Sequence, residues 1–246
     1  MGTALGLGET LNRVLRAGMA FSVLAGLTFT AACGEKKGPE QAAGRPAAAS
    51  AAEAARGTGL TQPQLERAAV SEEDLPGYTV DWMGASVSAP SLPAEPAECQ
   101  AMGDTTGMVS QYRPTARLSR LVDKPVEAAS GLTLAAYRAG DAEKAMADVR
   151  EGIRTCAGRT FDPGDTFQYK AVTALPDPGK GDDSLSFKLL QVVGGSKKGL
   201  EVAHMYVMVR TGSTVAIFRA LSRDSHVPVV PANVVDAQVR KLAKAG

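Results

Sequence analysis

The stretch Gly131–Cys156, GLTLAAYRAGDAEKAMADVREGIRTC, decides the fold because it reads as one strand followed by one helix. Over 131–138 the side chains alternate between two faces, which is typical of a β-strand. Asp141 is predicted to cap a helix that runs to about Cys156. One stripe of this helix is apolar and consists of Ala142, Ala145, Met146, Val149, Ile153 and Cys156. The helix is therefore expected to pack on a sheet, with Cys156 pointing inward.

Strands are predicted on the C-terminal side of this unit. Four segments rich in Val, Leu, Phe, Tyr and Thr span 167–175, 184–193, 200–210 and 214–221. Gly, Pro, Asp and Ser occupy the short separators, which favours hairpins and an antiparallel meander. Helices are predicted at 62–70, after Pro96 and after Pro231, and a first strand at 78–82. The predicted fold is α+β, a curved antiparallel β-sheet meander with helices packed on one side.

An export signal is predicted at the N-terminus, in residues 1–32. Arg13 and Arg16 precede the apolar stretch Ala17–Cys33, AGMAFSVLAGLTFTAAC, which is too short and too early for a comfortable membrane span. The small residues before Cys33 resemble a bacterial lipobox, in which the cysteine is acylated with diacylglycerol and becomes the mature N-terminus. Thr30 departs from the leucine that is usual in this motif. Two alternatives stay open: ordinary signal peptidase cleavage, which secretes a soluble protein, and a buried N-terminal helix of a cytosolic domain.

Residues 33–59 are predicted to be a lipidated, disordered linker. From Gly34 to Gly59 nearly every residue is Ala, Gly, Pro, Ser or charged, so the segment cannot bury enough apolar surface to fold. As a flexible coil it would hold the domain about 25–30 Å from the membrane on average. A single extracytoplasmic α+β domain is expected over 60–246.

The charge balance excludes one class of partner. From Cys33 onward basic and acidic residues are equal in number, and neither sign forms a long run. Nucleic acid binding and a polybasic contact with anionic lipid are therefore not expected. The membrane contact is assigned instead to the lipid on Cys33, at the outer face of the cytoplasmic membrane.

The two remaining cysteines predict a disulfide. Cys99 and Cys156 are an even number in an oxidising compartment. A bond between them would stabilise the fold by about 4 kcal/mol in the chain-entropy model. The alternative is a pair of unbonded thiols in the core.

Several features together resemble the PknH-like extracellular sensor domains of actinobacteria. They are a lipobox, a low-complexity tether, the early Leu75-Pro76-Gly77-Tyr78, a cysteine in a Pro-rich context, a helix ending in a second cysteine, and a meander of strands. The resemblance covers about 60–246, and such domains occur on serine/threonine kinases and as free-standing lipoproteins. It implies a twisted sheet with flanking helices around a V-shaped cleft, held by disulfides, and a sensing role with an unidentified ligand. The family often has two disulfides, whereas this domain has cysteines for one.

Sequence motifs favour binding over catalysis. The chain has no GxSxG, SxxK, HExxH or CxxC motif, so we expect neither an enzyme nor a cofactor. His204 and His226 are about twenty residues apart without a motif, which argues against a zinc site. Asp177, Asp182 and Asp183 lack the order of a calcium-binding loop and are assigned to a turn.

One strand face is predicted to bind a ligand. The face consists of Val202, His204, Tyr206, Met208 and Arg210, and Arg219 and Tyr137 can join it in a suitable register. Two rings, a thioether and a guanidinium suit a small anionic or aromatic ligand. The alternative is a solvated sheet face whose histidine is satisfied by its neighbours.

The sequence therefore predicts a membrane-anchored, extracytoplasmic ligand-binding or sensor module. The alternative is a structural or protein-interaction envelope lipoprotein without a small-molecule ligand, and an enzyme is a third hypothesis. A cleft lined by the His204 face would favour the first, and a flat exposed apolar patch the second. A close histidine–carboxylate–hydroxyl constellation would favour the third.

Overall fold

The computed structural model describes residues 59–84, 91–124, 130–164, 167–194, 199–222 and 228–245. The predicted signal peptide, Cys33, the tether up to residue 58, and His226 lie outside these ranges. The predictions made for them are therefore not addressed by the structure.

Seven strands and four helices lie within the described residues. The strands are β1 (Thr79–Gly84), β2 (Ala116–Asp123), β3 (Ser130–Ala136), β4 (Phe167–Leu175), β5 (Asp183–Val193), β6 (Leu200–Thr211) and β7 (Thr214–Ser222). The helices are α1 (Gln62–Ala68), α2 (Gln100–Thr106), α3 (Asp141–Thr155) and α4 (Ala232–Ala245). In this part of the chain, no helix combines the length and the apolar character needed to cross a membrane.

All strands join one antiparallel sheet in the order β1-β2-β3-β7-β6-β5-β4. The hairpins from β4 to β7 confirm the predicted meander, and the α+β fold class is confirmed with them. β3 pairs with β2 and β7, so the strand that precedes α3 lies inside the sheet, next to the central strand β7. β2 is absent from the sequence-based prediction, although Ala116, Leu118 and Val122 share one face of it and are buried.

Helices pack on both faces of the sheet, whereas the sequence predicted one side. On one face α1 and α4 bury a cluster around Leu65, Phe218 and Leu242. On the other face α3 buries a second cluster that includes Met146 and Tyr206. Two apolar faces on central strands need two layers of helix, and each layer is supplied by a different part of the chain.

The predicted disulfide between Cys99 and Cys156 is present, with the two Cα atoms 5.7 Å apart. It joins the short 3₁₀ turn before α2 to the residue that follows α3. A Cβ atom at Gly152 would lie 3.2 Å from the side chains of Ala101 and Met102, so a glycine permits the close approach of α3 to α2. Asp141 is the first residue of α3 and not its cap, since Gly140 takes the N-cap position with φ of 80°.

Candidate functional site

The strand face predicted to bind a ligand is covered by α3. His204 is 2% exposed and Tyr206 is fully buried. Tyr206 and Met208 belong to the cluster that includes Met146 and Val149 of α3. The prediction that this face stays open is therefore wrong. The apolar stripe of α3 needs a partner, and this strand face supplies it.

His204 has the environment of a buried neutral imidazole. Its Nε2 lies 3.0 Å from Oε1 of Gln191, and the rings of Tyr169 and Tyr206 lie about 6 Å away. Burial, and then the positive charge of Arg219, lower the pKa of His204 from 6.5 to about 4. The imidazole therefore stays neutral at physiological pH. The imidazole lies in a core and not on a solvated sheet face, and its neighbours satisfy only Nε2, since the buried Nδ1 has no hydrogen-bond partner among the described residues.

The two predicted arginines lie beside the predicted strand face but do not form an open site. Arg210 forms ion pairs with Glu143 at 3.1 Å and with Asp182 at 3.5 Å. Arg219 is half-buried on β7, opposite Tyr206 on β6. Burial raises the pKa of Tyr206, and the charge of Arg219 opposes that rise. These residues are therefore packed into the domain and do not assemble an open site.

The three aspartates of the turn before β5 serve local structure. Asp177 accepts hydrogen bonds from the backbone N–H of Gly179 and from the hydroxyl of Ser184. Asp182 accepts from the backbone N–H of Gly212 at 2.6 Å, and Asp183 pairs with Arg150. Within the described residues, no group of three or more His, Cys, Asp or Glu side chains is arranged to hold a metal ion.

Tyr137 and Met208 are the predicted face residues that the structure places in a groove. Tyr137 lines two neighbouring cavities of about 240 and 390 Å³, and Met208 lines the smaller of them. The cavities share the lining residues Val109, Ser110, Gln111, Tyr137 and Ile217. We therefore treat them as two halves of one groove, whose larger half has the size of a small-molecule pocket.

The floor of the groove is the sheet surface that α3 leaves uncovered beside β2 and β3. Thr133 pairs with Ile217, and Arg117 with Ala135, so all four side chains share the α3 side of the sheet. Both Thr133 and Ile217 are more than nine-tenths buried. The groove is thus built on rigid paired strands.

One wall is α3 and the other is the connection 107–115 between α2 and β2. Met108 in this connection has a positive φ of 56°, which is uncommon for a side chain of that size and turns the chain over the sheet. Gln111 donates a hydrogen bond to the carboxylate of Asp148 on α3. The ammonium of Lys144 lies 5.9 Å from the ring centre of Tyr112. These contacts tie the connection to α3 across the groove.

The two halves of the groove differ in charge. The larger one, which we call the arginine half, is lined by Arg113 and Arg117, and its described lining residues include no carboxylate. The smaller one, the acidic half, is lined by Glu98, Asp104, Asp148 and Glu151. Among their described lining residues neither half contains a histidine or a cysteine. The arrangement offers charge and hydroxyl groups for binding around an apolar middle.

Tyr137 and Arg117 influence each other at the floor of the arginine half. Burial raises the pKa of the Tyr137 phenol, while Ser110 and Arg117 oppose the rise. Burial also lowers the pKa of the Arg117 guanidinium, and only the phenol of Tyr137 acts against that change. Both groups keep their ordinary ionisation state at neutral pH, a neutral phenol beside a guanidinium cation.

Sequence reasoning missed most of this groove. Of the residues predicted for the ligand-binding strand face, only Tyr137 and Met208 line the described groove, and Tyr137 shares the sheet side of Met208, as the sequence allowed. The alternation of Ala116, Leu118 and Val122 with Arg117 and Ser119 is the signal that predicts β2 and places Arg117 on the side opposite the apolar residues. The connection 107–115 has no periodicity that fixes its path.

Comparisons with known proteins yield similarities of fold alone. No protein-family model and no curated protein matches the sequence. The structure is similar to the extracellular domain of PknH from Mycobacterium tuberculosis, with 14% identity, a TM-score of 0.49, and coverage of 77% of this chain and 98% of that one. It is also similar to an uncharacterised protein from Mycobacterium smegmatis, with 12% identity, a TM-score of 0.38, and coverage of 69% and 87%. Family membership does not follow from values this low.

Proposed function

We propose that this protein is a lipid-anchored, extracytoplasmic module that binds a small molecule in the groove between α3 and the connection 107–115. The observation that carries the proposal is the groove itself, a concave site on paired strands with an apolar middle and charged ends. We assign it binding and no reaction, because its described lining residues offer hydroxyls and charges but no histidine or cysteine to activate a nucleophile.

The cellular location in this proposal rests on the sequence and on the disulfide. The export signal and Cys33 predict a lipid anchor, and one diacylglycerol carries two acyl chains, which is enough for stable attachment without basic residues. The disulfide between Cys99 and Cys156 agrees with an oxidising compartment. Cys33→Ala should release the protein from the membrane fraction or block its processing. Normal trimming with unchanged membrane retention would contradict the anchor.

Small molecules that stay bound to the protein during purification test whether the groove is a binding site. Val109 is half-buried and lines both halves, so Val109→Trp should fill the middle of the groove. Val229 is 65% exposed and lines neither half, which makes Val229→Trp the matched control. Mass spectrometry of small molecules released from the purified full chain should find compounds in the native protein and the control that are missing from Val109→Trp. An identical set of compounds in all three proteins would contradict the proposal.

A second candidate function, docking of an envelope protein, has one observation in its favour. Trp82 and Met83 on the edge strand β1 are 50% and 61% exposed. The guanidinium of Arg120 lies 4.5 Å from the centre of the Trp82 ring. Crosslinking in intact cells through a photoreactive residue at position 83 would identify such a partner. If no protein is crosslinked, the groove is left as the functional site.

A further inference from the structure

The charged side chains of the two groove halves differ in whether they already have partners. In the acidic half Glu98 pairs with Arg159, and Glu151 pairs with Arg154. Asp104 accepts hydrogen bonds from Ser91 and Gln100, and Asp148 accepts one from Gln111. The carboxylates of this half are therefore satisfied within the protein.

The arginine side chains of the other half are not paired in this way among the described residues. Within the described part of the chain, neither Arg113 nor Arg117 forms an ion pair, and no carboxylate lies near enough to Arg117 to raise its pKa. Arg117 is also half-buried, so its cation has lost part of its hydration without gaining a carboxylate. An anion that entered this half would find a guanidinium with free donors, together with the hydroxyls of Ser110 and Tyr137.

The middle of the groove indicates what the rest of the ligand is. Val109, Tyr137 and Ile217 are the apolar or aromatic members of the five residues that line both halves, and they lie where the two halves meet. Beyond them Val149, Met208 and Val215 contribute apolar surface. Asp104 and Asp148 of the same half accept hydrogen bonds from neutral groups, keep their charge, and would repel a second negative charge. A flat or branched apolar body therefore fits the groove when its single anionic group lies at the arginine end.

We propose that the ligand of this groove is a small molecule with one oxyanion group, a carboxylate or a phosphate monoester, on an apolar body. The anionic group binds Arg117, and the apolar body passes Tyr137 toward Val149. This assignment rests on the proposed function, since it names the ligand class of the same groove. Arg117 is then the principal determinant of specificity.

Three probes of the same size test the assignment: 4-methylbenzoate, its neutral amide 4-methylbenzamide, and terephthalate, which adds a second carboxylate at the far end. Binding is measured by ligand-observed NMR on the full chain carrying Cys33→Ala, which removes the lipid acceptor. The benzoate should bind about tenfold more tightly than the amide, because a charge-assisted hydrogen bond replaces a neutral one. Terephthalate should bind more weakly than the benzoate.

Two variants on one strand provide the matched pair. Arg117 and Arg120 both lie on β2 and are both half-buried, but Arg120 faces the opposite side of the sheet and stacks on Trp82. Arg117→Gln should weaken 4-methylbenzoate about tenfold and leave the amide unchanged, whereas Arg120→Gln should change neither.

Equal affinities for the benzoate and the amide, both abolished by Val109→Trp, would overturn the anionic assignment and leave the proposed binding function intact. If terephthalate bound as tightly as the benzoate, the proposed orientation of the ligand, with its apolar body in the acidic half, would be overturned. No binding of any probe at 10 mM would overturn this inference, while the proposed function is decided separately by the retained compounds.

Discussion

This protein is expected to lose stability between about pH 7 and pH 5. Replacing His204 with glutamine should abolish most of that loss. In the unfolded chain an imidazole has its ordinary pKa near 6.5. In the folded protein burial and the charge of Arg219 lower the pKa of His204 to about 4. Between these values the unfolded state binds a proton that the folded state does not. Falling pH therefore favours unfolding, and the stability present above pH 6.5 is lost as the pH falls toward 4.

The size of the effect follows from the two pKa values. Each unit of difference corresponds to about 1.4 kcal/mol, so the whole shift is worth about 3 kcal/mol. Most of this falls in the accessible range, and the free energy of unfolding should drop by about 2 kcal/mol between pH 7 and pH 5. The carboxylates whose pKa values are lowered, such as Asp74 and Asp177, act mainly at lower pH.

Urea unfolding followed by circular dichroism measures the free energy at each pH. Both proteins carry Cys33→Ala, and glutamine at position 204 keeps a polar group beside Gln191 without a charge. The constant cost of the substitution cancels when only the pH dependence is compared, and His226 contributes equally to both proteins. Arg219→Gln should reduce the pH dependence in part, because Arg219 is the second cause of the shift. A pH dependence that is the same in the native protein and in His204→Gln would refute the reasoning.

Three further predictions concern stability. Gln238 is fully buried and links α4 to the end of α1. Its Oε1 accepts a hydrogen bond from the Val70 N–H at 3.0 Å, and its Nε2 donates one to the Ala68 carbonyl at 2.7 Å. Gln238→Leu should lower the free energy of unfolding by about 2–4 kcal/mol, whereas Arg240→Ala on the same helix should have little effect. Gly179 and Gly181 both have positive φ, but only a Cβ at Gly181 would overlap the carbonyl oxygen of Arg210, so Gly181→Ala should lower the melting temperature more than Gly179→Ala. Cys156→Ser should cost about 4 kcal/mol of unfolding free energy, and alkylation of two free thiols in the unreduced native protein would contradict that expectation.

The sequence predicted the strands after α3 well because each has a clear end. Turn residues such as Pro176, Gly179 and Gly212 separate them, so β4 to β7 were placed within a residue or two of their observed ends. What periodicity did not show is which faces are covered. β6 carries apolar residues on both faces, which is typical of a strand buried on both sides, and the few polar groups on one face were interpreted as an opening.

The sequence did not predict the groove, and the reason differs from that for the covered strand face. Its floor depends on β2, whose alternation is weak because Arg120 interrupts the apolar face. It also depends on the pairing of β3 with β7, which the order of the strands along the chain does not reveal. Its outer wall depends on contacts between Gln111 and Asp148, two residues far apart in sequence. Tyr137 was found because it follows a strand that alternates clearly, and its position at the end of β3 brings it under the connection 107–115.

Gly59 packs against a residue that lines this groove. Gly59 is the first described residue, and a Cβ there would overlap the carbonyl oxygen of Tyr137. The backbone of Gly59 therefore lies against the backbone of Tyr137, one of the residues that line both halves of the groove. A residue larger than glycine at position 59 would therefore have to displace the backbone of Tyr137, and with it the side chain that lines both halves of the groove.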